Sequence, residues 1–188
     1  MTTAIELSRR SIRLCTVEAG RLTALEAWPI PEGTDPLTAL AAAPLPAGLG
    51  KVAVVLAHDD MLLRTLMQPP CPPERLEKLV RFELAGAGDG EPMTVAMTTA
   101  TGLGGEEQRV LALLTKQRLI AAVRQALKPH GAKLASLLPP GVALFHAVQA
   151  QEGASSGAAL LIDVAADQVH IAIANDGELA FARSQPGG

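Results

Sequence analysis

An α/β protein built by internal duplication is what this chain predicts, and three observations carry the prediction. The same short meander stands at both ends: subtracting 157 from the positions of Ile162, Asp163, Val169, Ile171, Gly177 and Leu179 lands on Ile5, Glu6, Ile12, Leu14, Gly20 and Leu22, with no gap. Between the copies, apolar runs of strand character alternate with stretches whose apolar residues recur at helical spacing. With 48% hydrophobic residues in 188, the chain can bury a core as one large domain or two small ones. Each meander reads as a strand carrying one acid, a second strand, a Gly turn and a third strand. The second copy is followed only by Arg183 to Gly188, so the repeat opens a second half-domain that these residues do not complete.

Taken in order, Thr3 to Leu7, Ser11 to Val17 and Arg21 to Trp28 read as three antiparallel strands with tight connections. In the middle strand Ile12, Leu14 and Thr16 share one face and Arg13, Cys15 and Val17 the other, so one side is the better buried. Pro29 and Pro31 end the third strand; a short helix is expected over Pro36 to Ala42, then a linker over Pro44 to Gly50. Val52 to Ala57 is a nearly continuous apolar strand suited to a sheet interior. Met61 to Met67 is another strand, stopped by Pro69, Pro70, Pro72 and Pro73. Glu74 to Leu84 places Leu76, Leu79, Val80 and Glu83 at helical spacing behind a proline-led start, with Glu74 and Glu77 near the amino end. Gly86 to Gly90 is a loop, Pro92 to Thr99 a strand, Gly102 to Gly105 a second loop and Val110 to Leu114 a strand. Lys116 to Lys128 is the clearest helix, with Leu119, Ile120, Val123 and Leu127 on one stripe and Gly131 as its stop. Ala132 to Leu138 reads as a strand, Val142 to Ala150 as a helix after Pro139 and Pro140, and Gln151 to Gly157 as a polar connector at the domain boundary.

Composition excludes several functions. Three Phe, one Trp and no Tyr leave few rings for stacking on bases, and a net charge of -3 with scattered basic residues makes no stripe for nucleic acid. Cys15 and Cys71 form neither a metal pattern nor a disulfide framework, which points to a reducing compartment. Glu6 and Arg9 interrupt the start before any apolar run, so no signal peptide is expected. Leu134 to Val148 is too short to span a bilayer and is broken by Pro139, Pro140 and Gly141, so membrane association is expected only through a partner.

The candidate chemistry begins with Glu6 and Asp163, at matched positions of strands that read as mostly buried. An acid at a strand end can receive backbone amides, hold magnesium through water or orient a water against a phosphate. The plainer alternative is a strand-end cap or a salt-bridge partner. A phosphate cradle also needs inward-pointing amides, for which glycine leaves room. Here the turns read Ser8, Arg9, Arg10 and Ala165, Ala166, Asp167, so Ala165 adds a methyl group and Asp167 a repulsive charge, while Arg9 and Arg10 suit a phosphate, an acidic peptide or plain solvent. The two Gly-rich loops lack the Lys and Ser or Thr of a phosphate loop and read as hairpin connections. His58, Asp59 and Asp60 fit turn capping better than one metal ion. His130 sits beside a helix stop, where a cation is favourable. His146 and His170 have no partners close in sequence, and none of the histidines makes a Ser-His-Asp or Cys-His arrangement.

In this order, the segments TAIELSRRSIRL, VAVVLAHDDMLLRTLMQPPCPPERLEKLVRFEL, VLALLTKQRLIAAVRQALKPHGAKLASLLPPGVALFHAV and LLIDVAADQVHIAIANDGELAFARSQPGG cover most of the chain. The set resembles the actin-like cytoplasmic proteins of type IV pilus assembly, the PilM family, and more distantly the cytoplasmic part of the GspL-like type II secretion proteins. That family usually carries Asp followed by Ile-Gly-Ser on its first strand, where this chain has Glu6, Leu7, Ser8 and Arg9. Its second half usually carries Asp-Ile-Gly, where this chain has Asp163, Val164 and Ala165. Its aromatic and proline run after the central helix is replaced by Ala85 to Gly90.

The resemblance implies an incomplete actin-like (ribonuclease H-like) α/β fold. Subdomain 1A comprises residues 1–60 and 132–157, an inserted 1C-like α/β subdomain residues 61–131, and the start of a truncated subdomain 2A residues 158–188. It implies a cytoplasmic adaptor, peripheral to the inner membrane, that binds a short amino-terminal cytoplasmic peptide of a bitopic partner in a groove between subdomains and connects to a motor ATPase. The alternative it implies is a nucleotide-binding ATPase with phosphate turnover. Glu6, Ser8, Arg9, Asp163 and Ala165 become degenerate phosphate-side positions. No catalytic residue or metal ligand follows, and no cofactor is expected, with ATP and Mg belonging to a competent full-length cleft. If the chain stops at Gly188, the last meander is expected to pair between subunits in a homodimer.

Overall fold

The structure is a computed structural model that describes residues 2–86, 90–100, 108–153, 156–165 and 168–186. The middle of the first Gly-rich loop, the second Gly-rich loop, Ala166 and Asp167, part of the polar connector, and Gly187 and Gly188 lie outside the described residues. Two compact units are formed, one from residues 1–58 and 118–140, the other from residues 59–117 and 141–188.

The first unit is built on a five-stranded sheet. Strands β1 (Thr2–Leu7), β2 (Ser11–Glu18) and β3 (Arg21–Pro29) form the antiparallel meander, β4 (Gly50–Leu56) runs parallel to β1, and β8 (Ala132–Leu138) runs parallel to β4, in the order β3-β2-β1-β4-β8. The alternation in β1 and β2 decides the core. Ile5, Leu7, Ile12 and Leu14 are buried on one face, joined by Val52, Val54 and Leu56 of β4. Helix α1 (Pro36–Ala42) starts where the sequence says it should, because Asp35 caps it by accepting the Thr38 N–H at 2.8 Å and Pro36 needs no acceptor. It buries Leu40. Helix α3 (Gln117–Leu127) buries Leu119, Val123, Ala126 and Leu127, and a 3₁₀ turn, Lys128–His130, ends at Gly131 in the left-handed conformation.

In the second unit, β5 (Met61–Gln68), β6 (Met93–Ala100) and β7 (Gln108–Lys116) form an antiparallel sheet of order β5-β7-β6. Its two faces bury different partners. Val110, Ala112 and Leu114 point to α2 (Pro73–Glu83), packing with Leu76, Val80 and Leu84. Leu111, on the opposite face of β7, packs with Phe145 of α4 (Pro140–Glu152) and with Ala172, Ala174, Leu179 and Ala182. Those four belong to the terminal meander, β9 (Ala158–Val164), β10 (Gln168–Asn175) and β11 (Glu178–Pro186), of order β11-β10-β9. A Cβ on Gly141 would lie 3.0 Å from both Ala182 Cβ and the Ile171 carbonyl, so glycine is what lets the first turn of α4 lie on the sheet. Lys116 Nζ lies 3.0 Å from Glu91 and 3.8 Å from Asp60, fastening one end of the β5-β7-β6 sheet. Asp60 of the His58 to Asp60 turn is thus an ion-pair partner.

The duplication holds in detail. Glu6 pairs with Arg13, and Asp163 with His170; both second-to-third strand pairs carry an irregularity at the same place, between Thr16 and Val17 and between Ile173 and Ala174. The two-residue turns match, with Ala19 and Gly20 at φ of 47° and 76°, and Asp176 and Gly177 at 50° and 76°. The meanders nevertheless bury opposite faces. Thr3, Ile5 and Leu7 are 2%, 0% and 3% exposed, whereas Leu160, Ile162 and Val164, at the same repeat positions, are 61%, 55% and 75% exposed. Conversely Leu22 and Leu25 are exposed where Leu179 and Ala182 are buried.

Candidate functional site

Glu6 lies on the β1 face opposite Ile5 and Leu7, and β2 places Arg13 beside it. Arg13 Nη1 donates to both Glu6 carboxylate oxygens at 3.2 Å, with both side chains about half exposed. The first candidate acid is therefore held by a neighbouring guanidinium. Exposed pairs of this kind contribute no more than about 1 kcal/mol.

The turn after β1 folds onto its own serine. Ser8 Oγ accepts the Ser11 N–H at 2.9 Å and the Arg10 N–H at 3.2 Å, and the Ser8 N–H bonds the Ser11 carbonyl at 3.0 Å. The hydroxyl thus takes two amides that the turn would otherwise offer to a ligand or to solvent. A Ser at the head of a tight turn was the signal for this, legible in the spacing of Ser8 and Ser11. Arg9 is exposed at the tip.

Asp163 is exposed near the end of β9, and the Ala165 N–H closes the following turn on the Gln168 carbonyl at 2.9 Å. Glu6, Ser8 and Arg9 belong to the first unit, Asp163 and Ala165 to the second. The strand registers add two residues to the second half-site. His170 stands beside Asp163 on one side and Ser184 on the other, and its Nδ1 lies 2.9 Å from Ser184 Oγ, with the ring buried. His170 therefore has a partner that no local spacing revealed, because register alone brings residues 14 positions apart together. It occupies the repeat position of Arg13. His130 is likewise buried, its Nε2 donating to the Leu40 carbonyl at 2.7 Å. Among the described residues no group of three or more His, Cys, Asp or Glu could hold a metal ion, and no helix is long and apolar enough to cross a membrane.

No family model matches the chain, and neither does any curated protein. Solved structures do. A chain of a PilM-PilN type IV pilus biogenesis complex is 20% identical over 97% of this chain and 60% of that one, with a TM-score of 0.77. The cytoplasmic domain of EpsL, an inner membrane component of the Vibrio cholerae type II secretion system, is 18% identical over 98% of this chain and 71% of that one, at 0.61. A Bacteroides thetaiotaomicron protein with an actin-like ATPase fold and unknown function is 11% identical over 99% and 70%, at 0.55. The chain thus spans about 60% of the length of the PilM-PilN structure it matches. At these identities the likeness carries the fold alone, mixed parallel and antiparallel α/β sheets consistent with the actin-like fold of the Bacteroides thetaiotaomicron protein.

Proposed function

We propose that this chain is a cytoplasmic adaptor, peripheral to the inner membrane, in the assembly of a type IV pilus or type II secretion system. It binds a short amino-terminal cytoplasmic peptide of a bitopic membrane partner and passes that connection to a motor ATPase. The observation that carries this reading is the fold likeness to a PilM-PilN complex at a TM-score of 0.77 over 97% of the chain. In this reading the sheet β5-β7-β6 with α2 is the 1C-like insertion.

The geometry of the phosphate-side turns supports a binding role over a catalytic one. Arg13 holds Glu6, Ser8 Oγ takes the amides of its own turn, and Ala165 carries a methyl group where the family has glycine. A turn whose amides already have an acceptor offers less to a phosphate, which favours the adaptor reading. The test is a titration of a fluorescent peptide, copied from the cytoplasmic amino terminus of the candidate membrane partner, into this chain. The adaptor reading expects saturable binding; a flat anisotropy trace at all concentrations would contradict it.

A second reading, an actin-like ATPase, draws on the two acids held at matched repeat positions, Glu6 and Asp163. Calorimetry with MgATP separates the two. Tight binding, with turnover lost on Asp163→Asn, would favour the enzyme.

A further inference from the structure

The three sheets end in six edge strands, β3, β8, β9, β11, β5 and β6. An edge offers unpaired N–H and C=O groups to any extended chain, and proteins block it with charge, proline or a bulge. Five of the six carry such a block. Arg21, Glu26 and Pro29 stand on β3, Lys133 on β8, Asp163 on β9, Glu178 and Arg183 on β11, and Arg64 on β5. The exception is β6, whose sequence MTVAMTTA has neither charge nor proline and whose eight residues pair with β7 without a shift of register. It is also long for an edge, since strands usually run to about five or six residues.

The two sides of β6 differ. Met93, Val95 and Met97 are half-buried and pack against the cluster of Leu76, Val80 and Leu84 from α2, whereas Thr94, Ala96 and Thr98 alternate with them and are exposed. Among the described residues β7 is the one strand beside β6. Every second residue of an antiparallel edge turns both its N–H and its C=O away from that neighbour. The sheet and α2 lie between residues 61 and 116, so the chain supplies both flanks of this segment.

We propose that β6 takes up an extended segment of a partner protein as a fourth strand, giving the order β5-β7-β6-partner. Main-chain hydrogen bonds hold the segment, and alternate side chains select it. Its apolar residues stand at every second position, where they continue the row of Met93, Val95 and Met97. Two methionines in that row let it fit side chains of different shape. This pairing is independent of the amino-terminal peptide proposed above. The rival occupant is a second copy, β6 against β6.

The probe is a fluorescent, end-capped peptide copying β7 (Gln108–Lys116), the sequence that β6 already pairs with on its other side. Fluorescence anisotropy with the 188-residue chain should saturate, and amide exchange followed by NMR should slow by at least about tenfold at alternate residues within 93–99. Backbone N-methylation of alternate peptide residues should weaken binding by at least about tenfold in one of the two possible sets and leave it within about threefold in the other. Thr94→Lys with Thr98→Lys gives β6 the charge that the other edges carry and should weaken binding by at least about fivefold, with the fold checked by far-UV circular dichroism. Absence of binding, protection on β5 or β3 in place of β6, equal effects of the two methylated sets, or indifference to the Lys pair would each overturn the proposal. So would a dimer of the chain alone, in sedimentation velocity, that the Lys pair abolishes, since the edge would then belong to a second copy.

Discussion

The side chains that decide this molecule act mostly by closing off polar groups. His130 is the clearest case: a buried ring satisfies the Leu40 carbonyl from 90 positions away in sequence. His130→Phe keeps much of the volume and orphans that acceptor, so chemical denaturation should show a loss of about 1–3 kcal/mol. Arg13→Ala, by contrast, removes an exposed pair, and the same measurement should move by less than about 1 kcal/mol. Sequence reasoning could single out Glu6, Asp163 and Ser8 as candidates because their spacing repeats or turns locally. It could not pair His170 with Ser184 or His130 with Leu40, since those bonds exist only once the strand register and the tertiary packing are fixed.

Elements were legible wherever punctuation was local. Asp35 and Pro36 mark the start of α1, Pro73 the start of α2, Gly131 the stop after α3, and the turn residues the two hairpins. The hairpin turns differ in one respect with an energetic consequence. Position 19 is Ala at a φ of 47°, while its repeat partner is Asp176 at 50°. Left-handed backbone costs a residue with a Cβ roughly 1–2 kcal/mol, less for Asn or Asp, so Ala19→Asn should stabilise the chain by about 0.5–1 kcal/mol in thermal unfolding. Gly141→Ala works the other way. Its new methyl meets backbone and Ala182 at 3.0 Å, and a loss of about 1–3 kcal/mol should appear in the same assay.

At the scale of the whole molecule, composition and periodicity predicted the α/β duplication but not which face each copy would bury. Ile5 and Ile162 are the same residue at the same repeat position, one fully buried and the other more than half exposed. Leu111 and Phe145 pack on the Ala172 and Ala174 face of the terminal meander, a contact that periodicity in Ala158 to Pro186 does not encode. The described residues keep the fold of the PilM-type structure, and at the turn after β1 Ser8 takes two amides of its own turn while Arg13 holds Glu6, in keeping with the proposed adaptor role. The most direct measurement of that claim is the binding of the membrane partner's fluorescent peptide to this chain, titrated with and without MgATP. One saturable curve, the same under both conditions, is the predicted result; no saturation, or binding that appears only with the nucleotide, would contradict it.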